Sequence, residues 1–469
     1  MADPNWTSLL PPLLAIVLAV WTRQVFVALG AGIWLGGCIL SGGHPLVGAQ
    51  VAIELIVKVL EDGDNARVVL FTFVIGALIG TVESCGGVKG FINWIDNSGW
   101  MTSPRRAQLL VWLTGVLIFI ESNITILVAG ALARPLFDRF KISRERLAYL
   151  IDSTAAPVCM IIPLNAWGAY NIGILATLGV ENPLQLFLQT IPLNFYALTA
   201  TGLALVTAVT SLNLGPMGKA EERTQNGEVL WPGAQPMMDE TMFVPMPEGN
   251  RPRAINMLLP MLVMIVMMPA GLYLTGGGDF REGSGSTSVL WAVLAGLAMA
   301  WLLLLSQRVA NLDELSRTAL RGAQGMMPMA LIILLALALG KMTRDLGTGA
   351  FVAGIAANSL SPAVFLPVVF LVASAIAFST GTSWGTFAIM LPVAVPAASA
   401  MGLPLAPFVA ASLSGGIFGD HASPISDTTI MASMAAATDH IDHVRTQMPY
   451  ALIAGGLALV GFLIVGLTL

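Results

Sequence analysis

The sequence predicts an all-α polytopic membrane protein made of two inverted-topology repeats, each with a re-entrant hairpin and a broken transmembrane helix. Three observations carry this reading. Of 469 residues, 10% are charged and 56% apolar, with mean hydropathy +0.80, whereas soluble domains carry roughly a quarter charged residues. Apolar runs of about membrane-spanning length follow one another along the chain, with room for roughly ten crossings. Polar, proline-containing breaks interrupt two of these runs at corresponding places in the two halves.

The same composition excludes other classes. A soluble enzyme does not fit the charge content, and disorder does not fit the apolar content. A net charge of −5 without any basic block argues against nucleic acid. Cys38, Cys85 and Cys159 lie far apart in apolar stretches, which suits neither a disulfide framework nor a zinc site. The start, MADPNW, lacks the basic n-region of a cleaved signal, so the first apolar run is expected to be a retained helix.

Apolar runs fall at 8–22, 24–41, 67–84, 107–133, 147–175, 185–210, 254–275, 287–305, 324–343, 362–400, 403–436 and 447–468. They divide the chain into N-terminal transmembrane helices and an outer loop (1–66), repeat 1 (67–210), a cytoplasmic linker (211–253), two connecting transmembrane helices (254–323) and repeat 2 (324–469). The linker is Pro- and Met-rich without periodicity.

Run 107–133 has Arg105 and Arg106 before it and Arg134, Arg139, Lys141, Arg144 and Arg146 after it. Basic residues at span ends favour the cytoplasm, so a single crossing strands one cluster, whereas a hairpin keeps both inside. Its arms, 107–120 and 124–133, are short for a core of about 30 Å at 1.5 Å per residue. Run 362–400 lies in a stretch from Leu346 to Gly419 without any Lys, Arg, Asp, Glu or His, which suits a mirror-image hairpin entering from outside. With both hairpins, an outside N-terminus and an inside linker, all basic residues except Lys58, Arg67, Arg281, Lys341 and Arg344 fall on the cytoplasmic side.

The halves echo each other. Ala77-Leu78-Ile79-Gly80 precedes Phe91 as Leu337-Ala338-Leu339-Gly340 precedes Phe351. Pro104 and Pro362 precede the hairpins, whose tips are Glu121-Ser122-Asn123-Ile124-Thr125 and Ser379-Thr380-Gly381-Thr382-Ser383. The broken helices, 147–175 and 403–436, carry Asp152-Ser153-Thr154-Ala155-Ala156-Pro157 and Gly419-Asp420-His421-Ala422-Ser423-Pro424. Inverted repeats with broken helices are the mark of secondary transporters.

Backbone groups cannot stay unpaired in lipid, so each break must face protein or a water-filled cavity. Unwound carbonyls, hydroxyls and carboxylates are hard ligands suited to Na⁺. One site is expected from Ser122, Asn123 and Thr125 against Asp152, Ser153 and Thr154. The other combines Thr380, Gly381, Thr382 and Ser383 with Asp420, His421, Ser423, Ser426, Asp427 and Thr428. Asp420, Asp427, Asp152, Glu121 and Glu83 are the proton-coupling candidates, because ionisable groups in apolar runs are costly and point to function. Burial raises a carboxylate's pKa and a bound cation lowers it, so one group can take H⁺ or Na⁺ in turn.

Plainer readings stand beside these. Asp152 and Asp427 can be helix N-caps, His421 a hydrogen-bonded structural residue, and Glu83 a residue at a helix end. The Met run at 257–268 suits packing, and His440 and His443 with Asp439 and Asp442 suit a solvated loop before the last span. No HExxH or GxxxxGK[ST] motif occurs, so neither zinc-dependent hydrolysis nor ATP-driven transport is indicated, and the one GxSxG match, Gly381-Thr382-Ser383-Trp384-Gly385, falls at the expected second hairpin tip. An intramembrane protease lacks its paired motifs.

Gly381-Thr382-Ser383-Trp384-Gly385-Thr386-Phe387, followed by Gly419-Asp420-His421-Ala422-Ser423-Pro424-Ile425-Ser426-Asp427-Thr428-Thr429, closely resembles the NhaC-type sodium/proton antiporter family. Asp152-Ser153-Thr154-Ala155-Ala156-Pro157 is similar too, and the resemblance covers about 8–468. Ala422 departs from the Cys expected there, which leaves ion ligation intact. The resemblance implies an ion-transporter-superfamily architecture, homodimers, and hairpin tips that clamp ion and substrate. The expected protein is not an enzyme and needs no cofactor. It sits in the cytoplasmic (inner) membrane and exchanges Na⁺ for H⁺ by alternating access. The alternative is an Na⁺- or H⁺-coupled transporter of a small organic solute, such as an organic acid or amino-acid-like compound. A passive channel and a structural scaffold account less well for two buried, carboxylate-bearing breaks.

Overall fold

The computed structural model describes residues 5–22, 24–96, 102–119, 122–163, 165–236, 252–278, 283–348, 351 and 361–469. The candidate Glu121 lies outside these residues, as do the side chains of Glu83, Asn123 and Asp427. The described chain is helical, and no strand occurs among the described residues.

Helices α1 (Leu10–Thr22), α2 (Val25–Leu40) and α3 (Pro45–Leu60) come first, α2 and α3 meeting at a bend of 117°. Residues 45–60, within the stretch expected to end in an outer loop, are thus helical. Helices α4 (Gly63–Ser84), α5 (Gly87–Asp96), α6 (Pro104–Leu117), α7 (Ser122–Arg139), α8 (Arg144–Thr154), α9 (Ala156–Ile161), α10 (Ala166–Thr177), α11 (Pro183–Thr190) and α12 (Phe195–Thr210) follow. Next come α13 (Pro216–Gln225), α14 (Ile255–Thr275), α15 (Gly285–Ser306), α16 (Leu312–Gly325) and α17 (Met327–Asp345). The chain ends with α18 (Pro362–Thr380), α19 (Ser383–Ala400), α20 (Leu405–Ala422), α21 (Asp427–Ala436) and α22 (His440–Thr468).

Among the described residues, six helices are long and apolar enough to cross a membrane, or up to nine if each bent pair is one span. Their outer faces present bare apolar side chains such as Leu46, Leu302, Val266 and Leu467. That is the surface of a multi-pass membrane protein, whose solvent is lipid.

Short polar residues set the helix starts. Ser103, Ser143, Thr382 and Ser426 are N-caps, accepting from the amides of Arg106, Arg146, Gly385 and Thr429. Helices α6 and α7 form the first hairpin and α18 and α19 the second. Arm α7 is longer than expected, running through Pro135 to Arg139. The arms of the second hairpin are each of spanning length. The second tip nevertheless turns at the depth of a helix break. Gly381, at φ +68°, sits so close to Ile425 that an added Cβ would lie 2.3 Å from its carbonyl oxygen.

Both long runs are broken. Helix α8 ends at Ala155, where φ −86° and ψ −88° leave the helical region before α9 begins. Helix α20 ends at Ser423, and α21 resumes at Asp427. Asp152 lies inside the last turn of α8 and Ala155 caps α9 without a side-chain bond, so the N-cap reading of Asp152 fails.

Two other expectations change. The linker is partly built: α13 packs beneath α8, where Arg223 donates to both Glu145 oxygens at 2.7 and 2.9 Å. Arg146 lies 3.3 Å from Glu221, whose Oε1 also accepts from the Ser143 hydroxyl at 2.7 Å. All four charged groups are buried. His443 is also fully buried and starts α22 with His440, so neither belongs to a solvated loop.

Removing one partner of a buried pair strands the other charge. Arg223→Ala should therefore lower stability by roughly 3–5 kcal/mol, read as thermal unfolding of the purified protein in detergent. Arg317→Ala, which breaks the exposed pair with Asp313, should cost no more than about 1 kcal/mol. Equal losses in the two variants would contradict this assignment.

Candidate ion-binding site at the helix breaks

The two broken helices end in the same way. The Ala155 amide donates to the Asp152 carbonyl and the Ser423 amide to the Asp420 carbonyl, so each carboxylate sits three residues before its break. Both side chains are buried, at 1% and 2% exposure. Each uses one oxygen and leaves the other without a partner: Oδ1 of Asp152 and Oδ1 of Asp420 are buried and unbonded. Buried acceptors are ordinarily satisfied, so these two oxygens are chemically conspicuous.

Asp420 faces the second hairpin. Its Oδ2 accepts from the Ser383 hydroxyl at 2.6 Å and the Ser383 amide at 3.1 Å. The Ser423 hydroxyl donates to the Phe378 carbonyl at 2.7 Å, tying the break to the hairpin's other arm. Gly419 permits the contact between α20 and α18, because an added Cβ would lie 2.1 Å from the Ser374 carbonyl oxygen. Gly381, Thr382 and Ser383 are thus held against Asp420 and Ser423. Thr380 bonds within its own helix, to the Ile376 carbonyl. Ser426 and Thr428 share a hydroxyl contact at 3.0 Å at the start of α21. Asp427 opens that helix.

Asp152 is placed differently from the expectation of a separate first-half site. Its Oδ2 accepts from the Thr429 hydroxyl at 2.9 Å and from the Gln447 amide at 2.8 Å, both in the second repeat. His421 Nε2 lies 3.8 Å from that oxygen and 3.2 Å from the Ser153 hydroxyl. His421 Nδ1 meets the Tyr196 hydroxyl at 2.6 Å. Neutral His421 with its proton on Nε2 accounts for these contacts, since the tyrosine O–H can donate to Nδ1. Gln447 Nε2 also donates to the His421 carbonyl at 2.7 Å. The breaks therefore share one polar core.

The first hairpin reaches this core by packing. Thr154 donates back to the Leu150 carbonyl, and Gly115 of α6 lies against its side chain. Thr125 closes the tip by donating to the Ile118 carbonyl, and Ser122 is buried at the start of α7. None of the hydrogen bonds described joins this tip to Asp152. Glu83 falls in the last turn of α4.

Sequence reasoning missed Gln447, Thr429 and Tyr196. Isolated polar residues on apolar helices carry no motif. The one usable signal was spacing, since His443 and Gln447 are four residues apart and share a helix face. Among the described residues, no three His, Cys, Asp or Glu side chains converge as a metal cluster. The donors around Asp420 are oxygens, suited to a hard monovalent cation as cargo.

Comparison with known proteins agrees with this architecture. The profile described as "Na+/H+ antiporter family" matches residues 167–467, including the second hairpin, the second break and Gln447. An uncharacterized protein of Haemophilus influenzae is 34% identical over 98% of this chain and 91% of its own. The malate-2H⁺/Na⁺-lactate antiporter of Bacillus subtilis is 34% identical over 23% of each chain. The fold is shared with the Alcanivorax borkumensis YdaH transporter, at TM-score 0.58 over 97% of both chains and 13% identity. With that profile over most of its length, and a full-length relative above 30% identity, the chain belongs to the Na⁺/H⁺ antiporter family.

Proposed function

We propose that the protein exchanges Na⁺ for H⁺ across the cytoplasmic membrane by alternating access. In this reading the N-terminus is outside, the linker inside, and two copies form a homodimer. Residues 67–210 and 324–469 are the inverted repeats that carry the transport site. The observation that supports the exchange is the pair of buried carboxylates, each with a free Oδ1. Neither hydrogen-bonds to Lys or Arg among the described residues.

A buried carboxylate without a cationic partner is neutralised by a proton or a bound cation. Asp420 can take either on its free oxygen while Ser383 holds the other. Na⁺ arriving there displaces the proton, and the proton displaces Na⁺ after the hairpin has exposed the opposite side. Asp152, fixed by Thr429 and Gln447, ties the first broken helix to that event. Thr382 and Ser426, as caps at either end of the second tip's contact, keep the ligands aligned. A second reading, exchange of a small organic acid, is favoured by the malate and lactate in the Bacillus subtilis relative's name. A carboxylate solute would then need bound Na⁺ as its counter-charge, because both acidic groups repel it.

Purified protein in vesicles, given an Na⁺ gradient, should move protons in the opposite direction without added solute. A response that appears only with an organic acid would overturn simple exchange in favour of the second reading. Asp420→Asn and Asp152→Asn should each abolish coupled exchange while the protein still inserts. A near-normal rate in either removes that residue from the site. Ser383→Ala, losing one charge-assisted hydrogen bond, should shift the Na⁺ half-saturation concentration by roughly 10- to 100-fold; an unchanged value excludes Ser383 from the site.

A further inference from the structure

We propose that His440, Ser433 and His443 form a buried proton-holding site, with one extra proton shared through the Ser433 hydroxyl, that governs how Gln447 presents its amide to Asp152. The inference rests on counting hydrogens. Gln447 Nε2 spends its hydrogens on Asp152 Oδ2 and the His421 carbonyl, so Gln447 Oε1 faces His443 as an acceptor. His443 Nε2, at 2.9 Å from that oxygen, must therefore carry hydrogen. His440 Nε2 lies 2.6 Å from the Pro424 carbonyl, which only accepts, so it also carries hydrogen.

That leaves Nδ1 of each ring. His443 Nδ1 lies 2.8 Å and His440 Nδ1 3.0 Å from the same Ser433 Oγ, which also lies 2.8 Å from the Thr429 carbonyl. With both rings neutral, three acceptors compete for the one hydroxyl hydrogen, and two contacts set lone pair against lone pair. One more proton relieves a contact. If His440 carries hydrogen on both nitrogens, it donates to Ser433, Ser433 donates to His443, and His443 donates to Gln447. Every donor in the chain then points toward Asp152.

The proton belongs on His440 because that ring is half-buried whereas His443 is enclosed. The charged and titratable groups around His443 are Asp152 of α8, His421 of α20 and His440 itself. Beside His440 in the chain lie Asp439 and Asp442, the latter close to Glu145 of α8, Arg223 of α13 and Arg445 of α22. When the proton leaves, Ser433 can serve only one ring, and a link between the surface and the Gln447–Asp152 contact is lost.

The link to transport rests on the proposed exchange; the proton site does not, and two measurements separate them. In full-length protein with ¹⁵N-labelled histidine, acidification from about pH 8 to about pH 5 should add a single proton to the pair. His440 should show hydrogen on both nitrogens, while His443 keeps its hydrogen on Nε2. Two independent titrations, or none down to about pH 5, would overturn the site. Ser433→Ala should uncouple the two rings and Ser433→Thr restore them; uncoupling in neither variant would also overturn it. In vesicles, His440→Gln should flatten the rate's pH dependence across that range, and a profile matching the unaltered protein would overturn the link to Asp152. Absence of Na⁺/H⁺ exchange in the unaltered protein would refute only the exchange reading, because the ¹⁵N measurement needs no transport.

Discussion

Each broken helix stops three residues after a carboxylate, and the polar groups buried there must find partners inside the protein because lipid supplies none. The rest of the architecture follows from that requirement. A hairpin tip supplies partners to the second break, through Ser383 to Asp420 and through the Phe378 carbonyl to Ser423. The second repeat supplies them to the first, through Thr429 and Gln447 to Asp152. Satisfying the breaks therefore welds the repeats into one polar core.

The core is satisfied only in part, and the remainder is where chemistry is available. Asp152 and Asp420 each have one anchored oxygen and one free, an arrangement that fixes the side chain without using up its capacity to bind. A fully bonded carboxylate would be held too well to trade ligands. An unanchored one would turn toward water or take a permanent proton. The outer ion pairs do the opposite. Arg223 with Glu145 and Arg146 with Glu221 lock the start of α8 to α13.

The breaks were legible in the sequence because proline removes a backbone donor and small polar side chains compete for the backbone, so their clustering inside an apolar run interrupts the helix. Asp420 and Ser383 were legible for the same reason, each lying in a dense local motif. The cross-repeat contacts were not, because Asp152 meets Thr429 and Gln447 across hundreds of residues and no local pattern encodes that distance. The linker was misread through its composition. Residues 216–225 are polar on average, yet Glu221 and Arg223 are buried by pairing rather than by apolarity. His443 failed likewise, since a histidine beside aspartates looks solvated until its partners Ser433 and Gln447 are known.

The placement of polar groups also bears on directionality. From Asp152 one hydrogen-bonded line runs through Gln447, His443 and Ser433 to the half-buried His440, and a second runs from the neighbouring Ser153 through His421 to Tyr196 on α12. The first ends near the α8–α13 clamp and the second in the aromatic packing of Tyr196 against Phe418. Asp152 thus has a polar connection toward the linker side and an apolar seal on the other, whereas Asp420 opens toward the second hairpin. Two buried carboxylates with differently directed surroundings thus share one core.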